Sequence, residues 1–268
     1  MAIVVLLARQ RSGTNALGRA LDTHSQFAYL NEVFHDGPAR VGEPETPLTK
    51  FNFFNFCRTP AGLQLSHPLD SAERFVAYIE YINKASAKNY SVLDVKYNSI
   101  FNVVAPWLGP VETPTLFTLL AKSNVPIVWL TRRNLLKTFV SFRTAELSGN
   151  IHRTKDTEET NATIYVDLAE LRSFITQKTE EDARIASFVA DYDPILCLEY
   201  DHLFQSDGVL APGSSAALER FLNVDELHGI STPLRKLNTR PLREIIENYH
   251  EVEQLITRTS NAWMLDDG

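Results

Sequence analysis

Residues 3–21 read IVVLLARQRSGTNALGRAL, and the fold is decided there. AIVVLLA, residues 2–8, is a continuous apolar run rich in β-branched side chains, the pattern of a central strand in a parallel sheet covered on both faces. A polar turn follows at once. Beyond it Ala16, Leu17, Ala20 and Leu21 recur at helical spacing, with Arg19 and Asp22 elsewhere on the wheel. A strand that delivers its carboxyl end into a turn and a helix aims backbone N–H groups and the positive end of the helix dipole at one spot, where an anion is favoured. Gly13 allows close approach to the backbone, and the hydroxyls of Ser12 and Thr14 can donate to phosphate oxygens. The loop departs from the nucleotide-hydrolysing pattern G-x-x-x-x-G-K-[ST]. With Gly13 at the second glycine, Ala8 stands at the first, Thr14 at the lysine and Asn15 at the magnesium-holding hydroxyl. The fixed positive charge is Arg11, one residue before Ser12-Gly13-Thr14.

The same grammar recurs along the chain. SVLDVKY at 91–97, VPIVWLTR at 125–132 and PILCLEY at 194–200 read as further strands. Residues 113–123, 134–147 and 167–192 read as the helices between them, and 240–259 as one amphipathic helix or two short ones. Strands alternating with helices predict an α/β protein: a P-loop-like three-layer fold with a central parallel sheet of about four to five strands flanked by helices. Two segments interrupt the pattern. Residues 36–70 combine prolines, glycines and an aromatic cluster, and residues 149–164 are polar. Both follow elements that carry candidate site residues, and both are expected to be acceptor-binding insertions, with a solvated surface excursion the alternative for the second.

Composition limits the function. The chain has 268 residues and a formal net charge of −7, which disfavours a nucleic-acid binder while permitting a small, specific anion pocket. Its two cysteines, Cys57 and Cys197, suggest neither a disulfide framework nor a zinc site, and Cys197 within ILCLEY is expected to be a small buried thiol. No apolar run approaches the roughly 20 residues of a bilayer span, so the expectation is a cytoplasmic protein without a transmembrane segment.

A second block, LTRRNLLKTFVSF at 130–142, places Arg133 and Asn134 at the end of a strand and Ser141 two turns into the following helix. A guanidinium can fork onto a phosphate, and a helical serine at that distance can reach another of its oxygens. With Arg11-Ser12-Gly13-Thr14, this block resembles the sulfotransferases that use 3′-phosphoadenosine-5′-phosphosulfate (PAPS). Their 5′-phosphosulfate loop is [KR]-S-G-[ST], and their 3′-phosphate motif has the arginine-to-serine spacing of Arg133 and Ser141. NEVFH at 31–35, DVKYN at 94–98, LEYDHL at 198–203 and RPLREIIENYHEV at 240–252 narrow the resemblance to bacterial carbohydrate sulfotransferases acting on trehalose glycolipids or nodulation signals.

The resemblance implies a single sulfotransferase domain over residues 1–268, with PAPS as sulfuryl donor, its bisphosphate PAP as product, a carbohydrate or glycolipid acceptor and no metal. It assigns Arg11, Ser12, Gly13, Thr14, Asn15, Arg133 and Ser141 to the donor, and catalysis to Arg11 and to Glu32 as base. His35 is the competing base or an acceptor contact. At three residues' separation the two could share a helical face. Glu32 as a mere partner of a basic residue stays open. Lys96 reads as a contact to sulfate or acceptor, or as a plain surface lysine. Arg235-Lys236 match a basic pair of the family, but Leu237 stands where its glycine is expected. Glu199 reads as a structural anchor. Two other functions fit the same scaffold, a nucleotide or small-molecule kinase and a PAPS-binding protein without transfer activity.

Overall fold

A computed structural model describes residues 2–36, 49–65, 67, 70–103, 113–148, 153–154, 162–235 and 240–266 of the chain. In chain order the elements are β1 (Ala2–Ala8), α1 (Thr14–Asp22), β2 (Phe27–Tyr29), α2 (Phe53–Cys57), α3 (Pro60–Gln64), α4 (Ser71–Ala85), β3 (Tyr90–Lys96), α5 (Thr115–Lys122), β4 (Ile127–Thr131), α6 (Leu135–Ser148), β5 (Arg153–Thr154), α7 (Leu168–Val189), β6 (Ile195–Glu199), α8 (Pro212–Leu222), β7 (Leu234–Arg235), α9 (Leu242–Ile245) and α10 (Tyr249–Thr257). They fall into two compact units, Met1–Thr131 with Ser187–Thr232, and Arg132–Ala186 with Pro233–Gly268.

The first unit holds a five-stranded sheet in the order β2-β3-β1-β4-β6, with every pairing parallel. The α/β class and the parallel sheet flanked by helices are therefore as the sequence predicts, and the fifth strand is β2, too short at three residues to show a period. β1 is central, and all its residues after Ala2 are buried. Its Val4, Leu6 and Ala8 pack with Leu17 and Leu21 of α1 and with Leu218 and Leu222 of α8. Parallel register sets Leu6 beside Asp94 and Ala8 beside Lys96. The chain leaves β1 toward one edge of the sheet and leaves β4 toward the other. In open α/β sheets ligands bind at such a reversal, outside the carboxyl ends of the strands.

Several local expectations change. β6 is an edge strand with partly exposed residues, paired among the described residues with β4 alone, and Cys197 is exposed on it, contrary to the buried thiol expected in ILCLEY. Residues 49–65, within the segment read as aperiodic, contain the short helices α2 and α3. The Asn52 side-chain oxygen Oδ1 caps α2 by accepting from the N–H groups of Phe54 (2.9 Å) and Asn55 (3.2 Å). Helices α4 and α8, not anticipated, bury Phe75, Tyr78 and Ile82, and Leu218 and Leu222, respectively. Residues 37–48, 66, 68 and 69 of the first insertion lie outside the described residues, as do 149–152 and 155–161 of the second.

In the second unit α6 packs Leu135, Leu136, Phe139 and Val140 into a core with Leu171 of α7, Leu242 and Ile245 of α9, and Val252 and Ile256 of α10. The C-terminal amphipathic stretch is thus two short helices, separated by residues 246–248. β5 and β7 form an antiparallel pair. Among the described residues no helix is long and apolar enough to cross a membrane.

Candidate functional site

Arg11 and Gly13 both take positive φ, 64° and 86°, and the chain turns through them from β1 into α1. Gly13 precedes the first helical residue and offers no side-chain cap, so the opening N–H groups of α1 face whatever occupies the loop. The Gly13 carbonyl accepts from the N–H of Leu17 at 3.0 Å. Two constraints make this position glycine. A Cβ would sit 2.3 Å from Cδ2 of Tyr200, and the left-handed φ disfavours any side chain. Ser12 and Thr14 are buried within the turn. Tyr200 opens the 3₁₀ turn after β6, and its ring forms one wall of the loop. Nothing local in the sequence marks this role, because the contact joins residues far apart in the chain.

Lys96 ends β3, one strand from the loop, and is only 3% exposed. The surface-lysine reading therefore gives way to a buried ammonium. Its Nζ donates to the hydroxyl of Thr14 and to Asp94 Oδ2 at 2.9 Å, and lies 3.8 Å from Glu32 Oε1. Asp94, two residues earlier on the same face of β3, is fully buried. Tyr29 at the end of β2 donates its hydroxyl to Asp94 Oδ2 at 2.7 Å, and the Tyr29 hydroxyl oxygen lies 3.1 Å from Asn15 Oδ1. Burial, the Asp94 charge and that hydrogen bond hold the Tyr29 phenol well above its ordinary pKa. The network joins α1, β2 and β3 beneath the loop.

Glu32 and His35 lie on a turn and not, as their spacing suggested, on a helical face. Asn31 has φ 58°, its carbonyl accepts from the N–H of Val33 at 3.0 Å, and the carbonyl of Glu32 accepts from the N–H of His35 at 3.1 Å. The turn is tied down on several sides. Asp94 N–H donates to Asn31 O at 2.9 Å, Phe53 N–H to Val33 O at 2.8 Å, Asn52 Nδ2 to His35 O at 2.8 Å and Asn102 Nδ2 to Phe34 O at 3.0 Å. Val33 and Phe34 are fully buried, with Phe34 against Phe53 and Tyr78. Burial pushes the Glu32 carboxyl above its ordinary pKa; Lys96 pulls it down, Asp94 adds to the rise and His35 opposes it. The His35 ring is more exposed and stands 3.6 Å from Asp36.

Arg133, Asn134 and Ser141 of the second block belong to the second unit. The Arg133 guanidinium lies over the Trp263 ring, 5.6 Å from its centroid. Asn134 is a structural residue. Its side-chain oxygen accepts from the N–H of Lys137 at 2.9 Å, capping α6, and its Nδ2 donates to Met264 O at 2.9 Å. Ser141 lies on α6, half-buried. Glu199 stands 3.9 Å from His202 at the end of β6. Arg235 is exposed on β7, and Lys236 and Leu237 lie outside the described residues.

No protein-family model and no curated protein matches the sequence. Among solved structures, a sulfotransferase from Alicyclobacillus acidocaldarius is 12% identical over 96% of this chain and 94% of its own, with a TM-score of 0.47. A GTPase in apo form from Pyrococcus abyssi is 17% identical over 87% and 88%, with a TM-score of 0.25. Both overlaps are too loose to carry function from either protein to this chain.

Proposed function

We propose that the chain is a PAPS-dependent sulfotransferase acting on a hydroxyl of a carbohydrate or glycolipid. One observation carries this reading. The Arg11-to-Thr14 loop, which lacks the lysine of a nucleotide-hydrolysing loop, has the buried Lys96 ammonium donating to its Thr14 hydroxyl and the Glu32 carboxylate 3.8 Å from that ammonium. An anion cradle, a fixed cation and a carboxylate with a raised pKa are the parts that in-line sulfuryl transfer needs.

In that reaction the acceptor hydroxyl oxygen forms a bond to sulfur while the bond from sulfur to the bridging phosphate oxygen breaks, and PAP leaves with the electron pair. Glu32 takes the hydroxyl proton. Its raised pKa brings it closer to the range in which a carboxylate is an effective base near neutral pH. Lys96, Arg11 and the loop N–H groups oppose the charge that grows on the bridging oxygen. The bare Cα of Gly13 makes room for the Tyr200 ring that walls the loop. Arg133 and Ser141 are assigned to the 3′-phosphate on the spacing of their motif. The acceptor class rests on the resemblance of NEVFH, DVKYN and the C-terminal block, and His35 on the same turn as Glu32 is assigned to the acceptor.

The test is calorimetric binding followed by transfer. PAP binds and ATP with magnesium does not, and radiolabel from PAPS appears on at least one member of a panel of neutral and lipid-linked glycans. Tight ATP–magnesium binding without PAP binding refutes the reading in favour of a kinase, and PAP binding without transfer to any acceptor favours a non-catalytic protein.

A further inference from the structure

Asp94 is a carboxylate in the wrong surroundings. Its neighbours on that face of the sheet, Val92 on its own strand and Leu6 and Ala8 on β1, belong to the main apolar core, and it is fully buried among them. A buried carboxylate is tolerated when it is paired and hydrogen-bonded, and here the pairing is lopsided. Oδ2 accepts both from Lys96 Nζ at 2.9 Å and from Tyr29 Oη at 2.7 Å, whereas Oδ1 has no hydrogen-bond partner among the described residues. All the hydrogen bonding falls on the oxygen that meets the lysine. The ammonium therefore sits on Asp94, and Glu32 stays 3.8 Å away.

We infer that Asp94 and Tyr29 form a buried positioning pair that fixes the Lys96 ammonium against the loop and keeps it from closing onto Glu32. The role rests on the sulfuryl-transfer reading, because it matters when Lys96 must serve the leaving group while Glu32 stays available to the acceptor. A lysine side chain has four rotatable bonds and can choose between the two carboxylates within its reach. Asp94 wins by proximity and by the hydrogen bond from Tyr29, which aims its Oδ2. Without the Asp94 charge, Glu32 is the acidic neighbour left to the ammonium among the described residues, and moving to it would disarm the base and vacate the Thr14 side of the loop at once.

Among the described residues, the charged groups paired with Lys96 are Asp94 on its own strand and Glu32 on the turn after β2. Tyr29 stands behind Asp94, with Arg19 of α1 acting on Tyr29 and His35 on Glu32; Thr14 contributes a neutral hydroxyl.

The experiment is crystallographic and kinetic and uses the full chain. A crystal structure of Asp94→Asn, nearly isosteric, should show Lys96 Nζ drawn off the loop to hydrogen-bond distance of Glu32, against 3.8 Å in the wild type. Tyr29→Phe, which removes only the hydroxyl, should show a smaller displacement and gives the same readout if Asp94→Asn does not fold. With PAPS, both variants should lose kcat while PAP affinity changes little, Asp94→Asn the more. A Lys96 ammonium that keeps its wild-type place in the variants overturns the pairing, as does loss confined to PAP affinity. Failure of the wild type to bind PAP refutes the donor reading separately and leaves the structural result standing.

Discussion

Gly13→Ala should be among the most damaging single-methyl changes in this chain, and the structure says how the damage divides. At φ 86° and ψ 11° the residue is left-handed, which costs an alanine about 1–2 kcal/mol. The added Cβ would also fall 2.3 and 2.4 Å from Cδ2 and Cε2 of Tyr200. No carbon pair tolerates that, so the ring or the loop has to move, and overpacking of this kind costs roughly 1–3 kcal/mol. The sum is a loss of about 2–5 kcal/mol. Tyr200→Ala removes the obstacle but not the strain, so in that background Gly13→Ala should cost only the 1–2 kcal/mol or so of backbone strain. Urea unfolding of the wild type, both single variants and the double variant measures the coupling, and PAP affinity should fall in Gly13→Ala alongside stability because the loop must shift. If Gly13→Ala costs the same in both backgrounds, within the roughly 0.5 kcal/mol expected of independent sites, Tyr200 is not the wall of this loop.

Glu32→Gln should lower kcat by about 10²- to 10⁴-fold, the contribution of a positioned base, and leave PAP affinity unchanged; equal losses in both would reject Glu32 as the base. The same variant tests the pKa through stability. Because folding raises the Glu32 pKa, protonation favours the folded state, so this group's contribution is complete below its unfolded value and is lost as pH rises through the folded one. The stability difference, wild type minus Glu32→Gln, should therefore fall as pH rises across that window in a series of urea melts, and a flat difference contradicts the raised pKa. Asn134→Ala removes the cap of α6 and the tie to Met264 and should cost roughly 1–2 kcal/mol in urea unfolding, while Arg133→Ala, which gives up an exposed cation–π contact, costs under about 1 kcal/mol and acts on PAP affinity instead.

What could be read in the sequence was what is local. β1, the loop and α1 follow one another without interruption, and each has a distinct residue pattern, so their order and ends were visible. β2 was not, since Phe27–Tyr29 is too short to alternate recognisably and is recruited by its pairing with β3. Helix α4 did carry a signal, Phe75, Tyr78 and Ile82 at helical steps, but the aromatic-rich segment before it hid the start. Cys197 misled for a related reason: an apolar run shows that a strand is buried somewhere, not how many neighbours pair with it. At the candidate site the same limit applies. Arg11, Ser12 and Thr14 were evident as a block, whereas Tyr29 and Asp94 have meaning only through each other and Lys96, across 65 residues in the case of the Tyr29 hydroxyl.

The position of Lys96 gives the absent loop lysine a physical sense. In a nucleotide-hydrolysing loop the lysine is the first residue of the helix and moves with the loop it serves. Here Thr14 has that position, and the ammonium reaches its hydroxyl from β3, a strand whose register with β1 sets Lys96 beside Ala8. A cation mounted on the sheet keeps its place when the loop adjusts to a ligand. It also lies between the loop and the turn that carries Glu32, which a lysine on α1 need not do. One ammonium can then oppose charge on a departing phosphate and moderate the pKa of a carboxylate, provided it does not bind that carboxylate outright. Asp94 supplies the competing anchor. The next position, which holds magnesium in a hydrolysing loop, is Asn15, whose side-chain oxygen lies 3.1 Å from the Tyr29 hydroxyl and so adjoins the same network. Each departure from the hydrolysing pattern thus leads to the same buried group, and this is why the reading of the loop stands or falls with Lys96.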